Sequence, residues 1–162
     1  MKAAALVGIL VIATPFSANA QVAEELYGTW RLVSFTWQVV ETGESSDLFG
    51  KAPHGFINYS RDGRMFAIIV SENRPKPTDL AKMTDQERAE LFMTVIAYAG
   101  TFKVEGSRVV HNVDISWNEN WTGTAQVRNF QIERRRLTIS VDPQVGTEGK
   151  LITAVLTWEK VQ

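Results

Sequence analysis

Eight strand-like segments, joined by connections that alternate between short and long, constrain what this chain can fold into. The segments alternate apolar with polar side chains or are rich in β-branched and aromatic residues, at 27–40, 54–60, 64–71, 99–105, 108–116, 123–132, 136–141 and 151–161. The short joints are 60–64, 105–107 and 133–135, and the long ones are 41–53, 72–98, 117–122 and 142–150. Eight strands are enough to close a small barrel around one small ligand. The pattern therefore predicts an all-β fold, an eight-stranded up-and-down antiparallel barrel with one tightly closed end and one elaborate mouth.

One helix is predicted, as an insertion between strands 3 and 4. The stretch "MTDQERAELFMTVIAYAG" begins with Thr84 and Glu87 at the spacing of a capping box, and Gly100 is a stop signal. Its apolar stripe consists of Leu91, Phe92, Val95 and Ile96. We expect this helix to lie beside the barrel mouth, where a ligand would enter.

The N-terminus has the pattern of a cleaved secretory signal peptide. Residues 1–20 contain a basic Lys2, an apolar run too short to span a bilayer, and a small-residue ending at Ala20. We therefore expect cleavage near Ala20, a single barrel domain at 21–162, and a periplasmic or secreted protein that is not inserted in a membrane. The chain has no cysteine, which excludes disulfides, thiolate catalysis and a lipid-bearing cysteine.

Charge and composition argue against several other classes of protein. The formal net charge is −1, and removal of Lys2 with the signal peptide would make it −2, so neither nucleic acid nor an anionic membrane is expected as a partner. Two histidines and no cysteine leave almost no ligands for zinc or copper, so no metal is expected. We find no glycine-rich phosphate loop and no nucleophile elbow, so the sequence predicts no cofactor.

The first strand contains "LYGTWRL" at 26–32, which resembles the Gly-x-Trp opening of lipocalins through Gly28, Thr29 and Trp30. A longer set of motifs resembles the bacterial and fungal lipocalin-like domain family. These motifs are "GTWRLVSF" at 28–35, "HGFINYSRDGRMFA" at 54–67, "RPKP" at 74–77, "AYAGTFKVEG" at 97–106, "VVHNVDIS" at 109–116, "NWTG" at 120–123, the region around Arg128 and "LTWEK" at 156–160. The resemblance implies an eight-stranded lipocalin-type barrel with a helical insertion between the third and fourth strands.

Two polar residues, His111 and Arg128, are predicted to point into the barrel from adjacent strands. Alternation gives inward sets of Val109, His111, Val113 and Ile115 on the fifth strand, Gln126, Arg128, Phe130 and Ile132 on the sixth, and Ile152, Ala154, Leu156 and Trp158 on the last. Arg128 either stacks on Trp30 at the closed end, as an arginine does in lipocalins, or binds an anionic group of a ligand. His111 is either bonded to a tyrosine or the backbone, or contacts a ligand as a polar group or general acid and base.

Further candidate ligand-binding residues surround this pair. Tyr98, Tyr59 and Asn58 are the polar groups expected to accompany His111. Trp117 and Trp121, in a mouth connection, either form a binding surface or cap the barrel end. The connection 41–53, with Leu48 and Phe49, is a candidate lid.

The register of the first strand has two solutions. If Trp30 points inward, strict alternation would turn Phe35 and Trp37 outward. Either a bulge reverses the register within this strand, or its outer face packs beneath the helix.

Three functions are compatible with these observations. The first is an exported protein that binds a small, mainly hydrophobic molecule with a polar or anionic head inside the barrel. The second is an isomerase, cyclase or hydrolase that uses His111 in the same cavity; the sequence identifies no other catalytic residue. The third is a barrel filled by side chains that acts as a structural or interaction module. Cavity volume separates the third from the first two.

Overall fold

The computed structural model describes residues 23–146 and 149–161. The predicted signal peptide at 1–20 lies outside the described residues. The strands are β1 (Gly28–Val39), β2 (Ser45–Asp47), β3 (His54–Tyr59), β4 (Arg64–Val70), β5 (Val95–Glu105), β6 (Arg108–Ser116), β7 (Ala125–Glu133), β8 (Arg136–Ser140), β9 (Gln144–Val145) and β10 (Leu151–Lys160). An α-helix, α1, spans Asp85–Met93, a helical turn lies at 23–26, and short 3-10 turns lie at Leu80–Lys82 and Glu119–Trp121. No helix among these residues is long and apolar enough to cross a membrane.

The eight long strands form a closed antiparallel barrel, which confirms the predicted architecture. Their order is β1-β3-β4-β5-β6-β7-β8-β10, and β10 pairs with β1 to close the sheet. The two short strands extend the mouth end: β2 pairs with β1, and β9 pairs with β10.

The predicted place of the helix between strands 3 and 4 is wrong, because α1 follows β4 and precedes β5. The difference arises because part of the 41–53 connection forms β2, a strand that the sequence did not predict. The Thr84–Glu87 capping box is present, but the helix ends at Met93. Val95 and Ile96, placed in the predicted helix, belong to β5 instead, where they pair with β-branched residues of β4.

A bulge resolves the register of the first strand. Pairing with β10 shifts between Leu32 and Ser34, so the first of the two alternatives is confirmed. Trp30 and Leu32 point inward before the shift and Phe35 points inward after it, while Val33 is exposed. One extra residue therefore keeps the apolar side chains of both halves of β1 in the interior.

A second bulge lies between β5 and β6, and it makes the predicted inward position of Ile115 wrong. The pairing shifts between Ala99 and Gly100, and Ile115, predicted to point inward, is 66% exposed. Gly100 is required there, because a Cβ atom at this position would overlap the backbone carbonyl oxygen of Asn112. The inward alternation of β6 therefore ends at Val113.

The two ends of the barrel differ in packing. At the end with short turns, a helical turn at 23–26 seals the interior with Leu26, which is fully buried and whose carbonyl oxygen accepts from Trp30 Nε1 at 2.8 Å. At the other end lie the long connections, which carry α1, β2, β9 and the 3-10 turn at Glu119–Trp121. The predicted closed end and elaborate mouth are both present.

Candidate functional site

A cavity of about 400 Å³ lies inside the barrel and reaches from the mouth connections down to His111 and Trp158. Its apolar lining consists of Phe35, Trp37, Leu48, Ile57, Ala67, Ile69, Ile96, Trp121, Ile139, Val141, Ala154, Leu156 and Trp158. Its polar lining consists of Tyr98, His111, Gln126, Arg128 and Gln144. A volume of a few hundred cubic ångströms with a few polar groups is typical of a small-molecule site. The interior is therefore not filled by side chains, contrary to the third hypothesis.

His111 points inward, as predicted, and is fully buried. Its Nε2 lies 2.8 Å from the hydroxyl oxygen of Tyr59, and its Nδ1 lies 2.9 Å from that of Tyr98. Both rings that flank it come from strands on one side of the barrel, β3 and β5. The expected tyrosine partners are thus present, and both ring nitrogens are engaged.

Burial sets the protonation of this cluster. Burial, and after it the nearby positive charge of Arg128, lower the pKa of His111 to about 3. Burial raises the pKa of Tyr98 to about 12 and that of Tyr59 well above its ordinary value. At neutral pH the three side chains are therefore an uncharged imidazole and two uncharged phenols.

Arg128 lines the cavity, but it does not stack on Trp30 as the structural alternative proposed. The cation over Trp30 is Lys160 instead. Lys160 lies opposite Trp30 in the β1–β10 pairing, and its ammonium lies 4.9 Å from the centre of the Trp30 ring. The guanidinium of Arg128 instead lies 5.7 Å from the centre of the Trp121 ring at the mouth.

The other contacts of Arg128 are to neutral groups. Nη1 donates to the carbonyl oxygen of Val127 at 2.9 Å, and Nη2 donates to Oε1 of Gln126 at 3.1 Å. In the part of the chain that the structure describes, no ion pair involves Arg128. Its positive charge is therefore available to an anionic or strongly polar group in the cavity.

The two mouth tryptophans have different positions. Trp121 lines the cavity and packs edge to face on Tyr98, with ring centres 5.5 Å apart. Trp117 packs edge to face on Trp121 at 5.0 Å, but it borders a groove on the outer surface of the barrel instead of the cavity. Of the two predicted aromatic contacts, the structure therefore brings only Trp121 to the site.

Asn58 and Tyr59 are consecutive residues of β3, so their side chains point to opposite faces of the sheet. Tyr59 is buried behind His111 and is not among the residues that line the cavity. Asn58 turns away from the interior, where its Nδ2 donates to Thr29 Oγ1 at 2.8 Å and its Oδ1 accepts from Ser60 Oγ at 2.8 Å. The structure therefore does not bring Asn58 to the cavity.

The predicted lid segment folds over the mouth. Leu48 lines the cavity, and the Phe49 ring packs edge to face on Phe35 with ring centres 5.4 Å apart. The Glu72 carboxylate accepts from the backbone N–H groups of Lys51 at 2.9 Å and Ala52 at 3.4 Å, which fixes the end of the segment.

Trp158 is a site residue that the sequence did not single out. Alternation places it on the apolar inner face of the last strand, and it does line the cavity there. Its indole Nε1 is buried and has no hydrogen-bond partner among the described residues. An unsatisfied donor depends on the exact placement of neighbouring carbonyl groups, so no sequence pattern signals it.

Among the described residues, no group of three or more His, Cys, Asp or Glu side chains is arranged to hold a metal ion. The polar groups of the cavity are instead side chains of other kinds: Arg128, Tyr98, His111, Gln126, Gln144 and the indole N–H of Trp158.

Comparison with known proteins identifies two similarities. A family model described as a lipocalin-like domain matches residues 27–161. The chain is also 35% identical over 86 residues to the 4'-hydroxy-3'-methoxypropiophenone carrier protein of Aspergillus oryzae (strain ATCC 42149 / RIB 40), a match that covers 48% of this chain and 78% of that protein.

Proposed function

We propose that this chain, which belongs to the lipocalin-like domain family, binds a small, mainly hydrophobic molecule with a polar or anionic head inside its barrel. The observation that carries the proposal is the cavity of about 400 Å³, with a mostly apolar lining and a few polar groups. Apolar lining supplies affinity, and Arg128, Tyr98 and His111 orient the head of the ligand.

The similar fungal protein supports a carrier role. Its name assigns it an aromatic ketone with hydroxyl and methoxy substituents, a flat molecule with an apolar ring and several oxygen acceptors. A ligand of this kind suits a cavity in which Phe35, Trp37 and Trp121 provide aromatic surface and Arg128 provides a polar contact.

The geometry favours binding over turnover by His111. Both imidazole nitrogens are bonded to tyrosine hydroxyls, and a pKa of about 3 makes this histidine a weak base. A general base works best with a pKa near the working pH. His111 therefore suits the role of a neutral, fixed polar contact.

We further propose that the protein acts outside the cytoplasm. The signal pattern at 1–20 supports export to the periplasm or medium, with cleavage near Ala20. N-terminal sequencing of the protein from its native host tests this step, since a mature chain that begins at Met1 would contradict it.

Native mass spectrometry tests the binding function. Protein purified from its native host is expected to carry a reproducible small-molecule adduct. Added 4'-hydroxy-3'-methoxypropiophenone is expected to bind with one-to-one stoichiometry and to quench tryptophan fluorescence, because Trp37, Trp121 and Trp158 line the cavity.

A cavity-filling variant provides the control. Ala154→Phe places a ring in the cavity, because Ala154 is buried in the lining, whereas Ala125→Phe places the same ring on the exposed face of β7. Loss of binding in the first variant only is the expected result. An equal adduct on a folded Ala154→Phe protein would contradict binding inside the barrel.

A further inference from the structure

The protons of the Tyr59–His111–Tyr98 cluster can be counted. A neutral imidazole carries one proton on one of its two nitrogens, and each phenol carries one. The cluster therefore has three protons, but only two hydrogen bonds join its members, at 2.8 Å and 2.9 Å. One proton is left over, and its position decides what the cavity offers to a ligand.

Access to the cavity decides which proton is left over, because Tyr98 lines the cavity and Tyr59 does not. Tyr59 is buried, and among the described residues its hydroxyl has no hydrogen-bond partner except His111 Nε2. A buried donor without an acceptor costs about 1–3 kcal/mol, so Tyr59 donates to Nε2. The proton of His111 is then on Nδ1 and is donated to the oxygen of Tyr98. The remaining proton, on the Tyr98 hydroxyl, has no acceptor among the described residues, and Tyr98 lines the cavity.

A second, independent observation points to the same ligand chemistry. The buried indole N–H of Trp158, which belongs to the same lining, has no acceptor among the described residues. Arg128 is also a donor only, while the amide oxygen of Gln126 already accepts from Arg128. Three donors of the cavity lining, on Tyr98, Trp158 and Arg128, are therefore available to acceptor atoms of a ligand.

We propose that the ligand presents an oxygen acceptor, as a carbonyl or a carboxylate group, to the Tyr98 hydroxyl, and that Tyr98 selects for it. Tyr59 and His111 act as positioning residues that fix the direction of the Tyr98 proton. This inference rests on the proposed binding function and adds the chemistry of the ligand head.

The tautomer of His111 is tested without any ligand. The chain has two histidines, His54 and His111, so ¹⁵N-detected NMR of the imidazole nitrogens is simple to assign with the variant His54→Gln. We expect a neutral ring with its proton on Nδ1. A proton on Nε2 would overturn the inference whatever the protein binds, because Tyr98 would then donate to His111 instead of to a ligand.

Matched ligands test the acceptor preference by isothermal titration calorimetry. Benzophenone and diphenylmethane share two phenyl rings and differ in one carbonyl oxygen, and diphenylacetate presents a carboxylate. We expect benzophenone to bind at least about fivefold more tightly than diphenylmethane, the scale of one neutral hydrogen bond. A preference for diphenylacetate that is lost in Arg128→Gln would identify the head as a carboxylate, and a preference for benzophenone would identify it as a carbonyl.

Three variants separate the roles of the tyrosines. Tyr98→Phe is expected to remove the ketone preference and to leave the affinity for diphenylmethane within twofold. Tyr59→Phe is expected to reduce the preference partly and to spread the His111 proton over both nitrogens. Tyr27→Phe is the matched control, because Tyr27 lies outside the cavity and packs on Phe102 near the closed end.

These measurements distinguish failure of the proposed binding function from failure of the acceptor inference. If neither benzophenone nor diphenylmethane binds, the result contradicts the proposed binding function. If both bind equally, or if Tyr98→Phe keeps the full ketone preference, the binding function stands and the acceptor inference is wrong.

Discussion

Trp30 and Trp158 are two buried tryptophans on the paired strands β1 and β10, with exposed fractions of 0% and 1%, but their surroundings differ. At the closed end, Trp30 Nε1 donates to the carbonyl oxygen of Leu26 at 2.8 Å, and Lys160 lies over its ring. In the cavity, Trp158 Nε1 has no partner among the described residues. The closed end is therefore completed by the chain itself, while the cavity leaves donors that a ligand can satisfy.

The largest expected effect is at the closed end. Trp30→Ala removes a fully buried ring and its hydrogen bond to Leu26, so we expect the free energy of unfolding to fall by about 3–5 kcal/mol. Urea denaturation measures this change. The matched variant Trp121→Ala removes a partly exposed ring at the mouth, and we expect it to cost less stability but to weaken ligand binding. Equal losses of stability would contradict the difference between the two ends.

The pH dependence of the free energy of unfolding is expected to reflect the protonation of His111, which lines the inner part of the cavity. Its pKa is about 3 in the folded protein and about 6.5 in an unfolded chain. Above about pH 6.5 neither state binds a proton at His111, so the stabilisation is complete. As the pH falls from 6.5 toward 3, the unfolded chain binds a proton that the folded protein does not. The free energy of unfolding therefore decreases, by at most about 1.4 kcal/mol per pH unit from this residue.

Urea denaturation between pH 7 and pH 4 measures this slope. His111→Gln is expected to reduce the slope whatever its effect on stability at pH 7, because it removes the titrating group. His54→Gln, which removes the other histidine at an exposed position, is the control whose slope is compared with that of His111→Gln. A His111→Gln slope equal to that of the wild type would show that His111 is charged in the folded protein or exposed to solvent.

A direct test of the tryptophan comparison replaces each indole by phenyl. Trp30→Phe loses ring volume and a hydrogen bond, and it leaves the buried carbonyl oxygen of Leu26 without a partner. Trp158→Phe loses the same volume but removes a donor that has no partner among the described residues. We therefore expect Trp30→Phe to cost about 1–3 kcal/mol more than Trp158→Phe in the unliganded protein. A larger loss for Trp158→Phe would mean that its N–H is already satisfied, for instance by water.

The fold could be predicted largely from the sequence because strand periodicity and joint length are local signals. The barrel, its closed end and the inward positions of His111 and Arg128 followed from them. The bulges that turn Phe35 inward and Ile115 outward could not be placed, because a single extra residue changes the register and leaves no strong local pattern. The short strand β2 was also missed, since it depends on pairing with β1.

The candidate site could be predicted only in part, because its contacts depend on which strands pair. Alternation identifies which side chains point inward, but not which groups meet. Lys160 rather than Arg128 lies over Trp30, because pairing between β1 and β10 sets that contact across the whole length of the chain. The unsatisfied N–H of Trp158 likewise depends on tertiary packing.

The smallest expected effect concerns the lid. Leu48 is only partly buried, so Leu48→Ala is expected to reduce the free energy of unfolding by about 1 kcal/mol or less. Because Leu48 lines the cavity from the 41–53 connection, we expect its truncation to speed ligand dissociation more than association. Stopped-flow recovery of tryptophan fluorescence after displacement of benzophenone measures the dissociation rate. Leu80→Ala, at a position 72% exposed in another mouth connection, is the matched control. Equal dissociation rates in the two variants would show that the ligand leaves by a path that Leu48 does not cover.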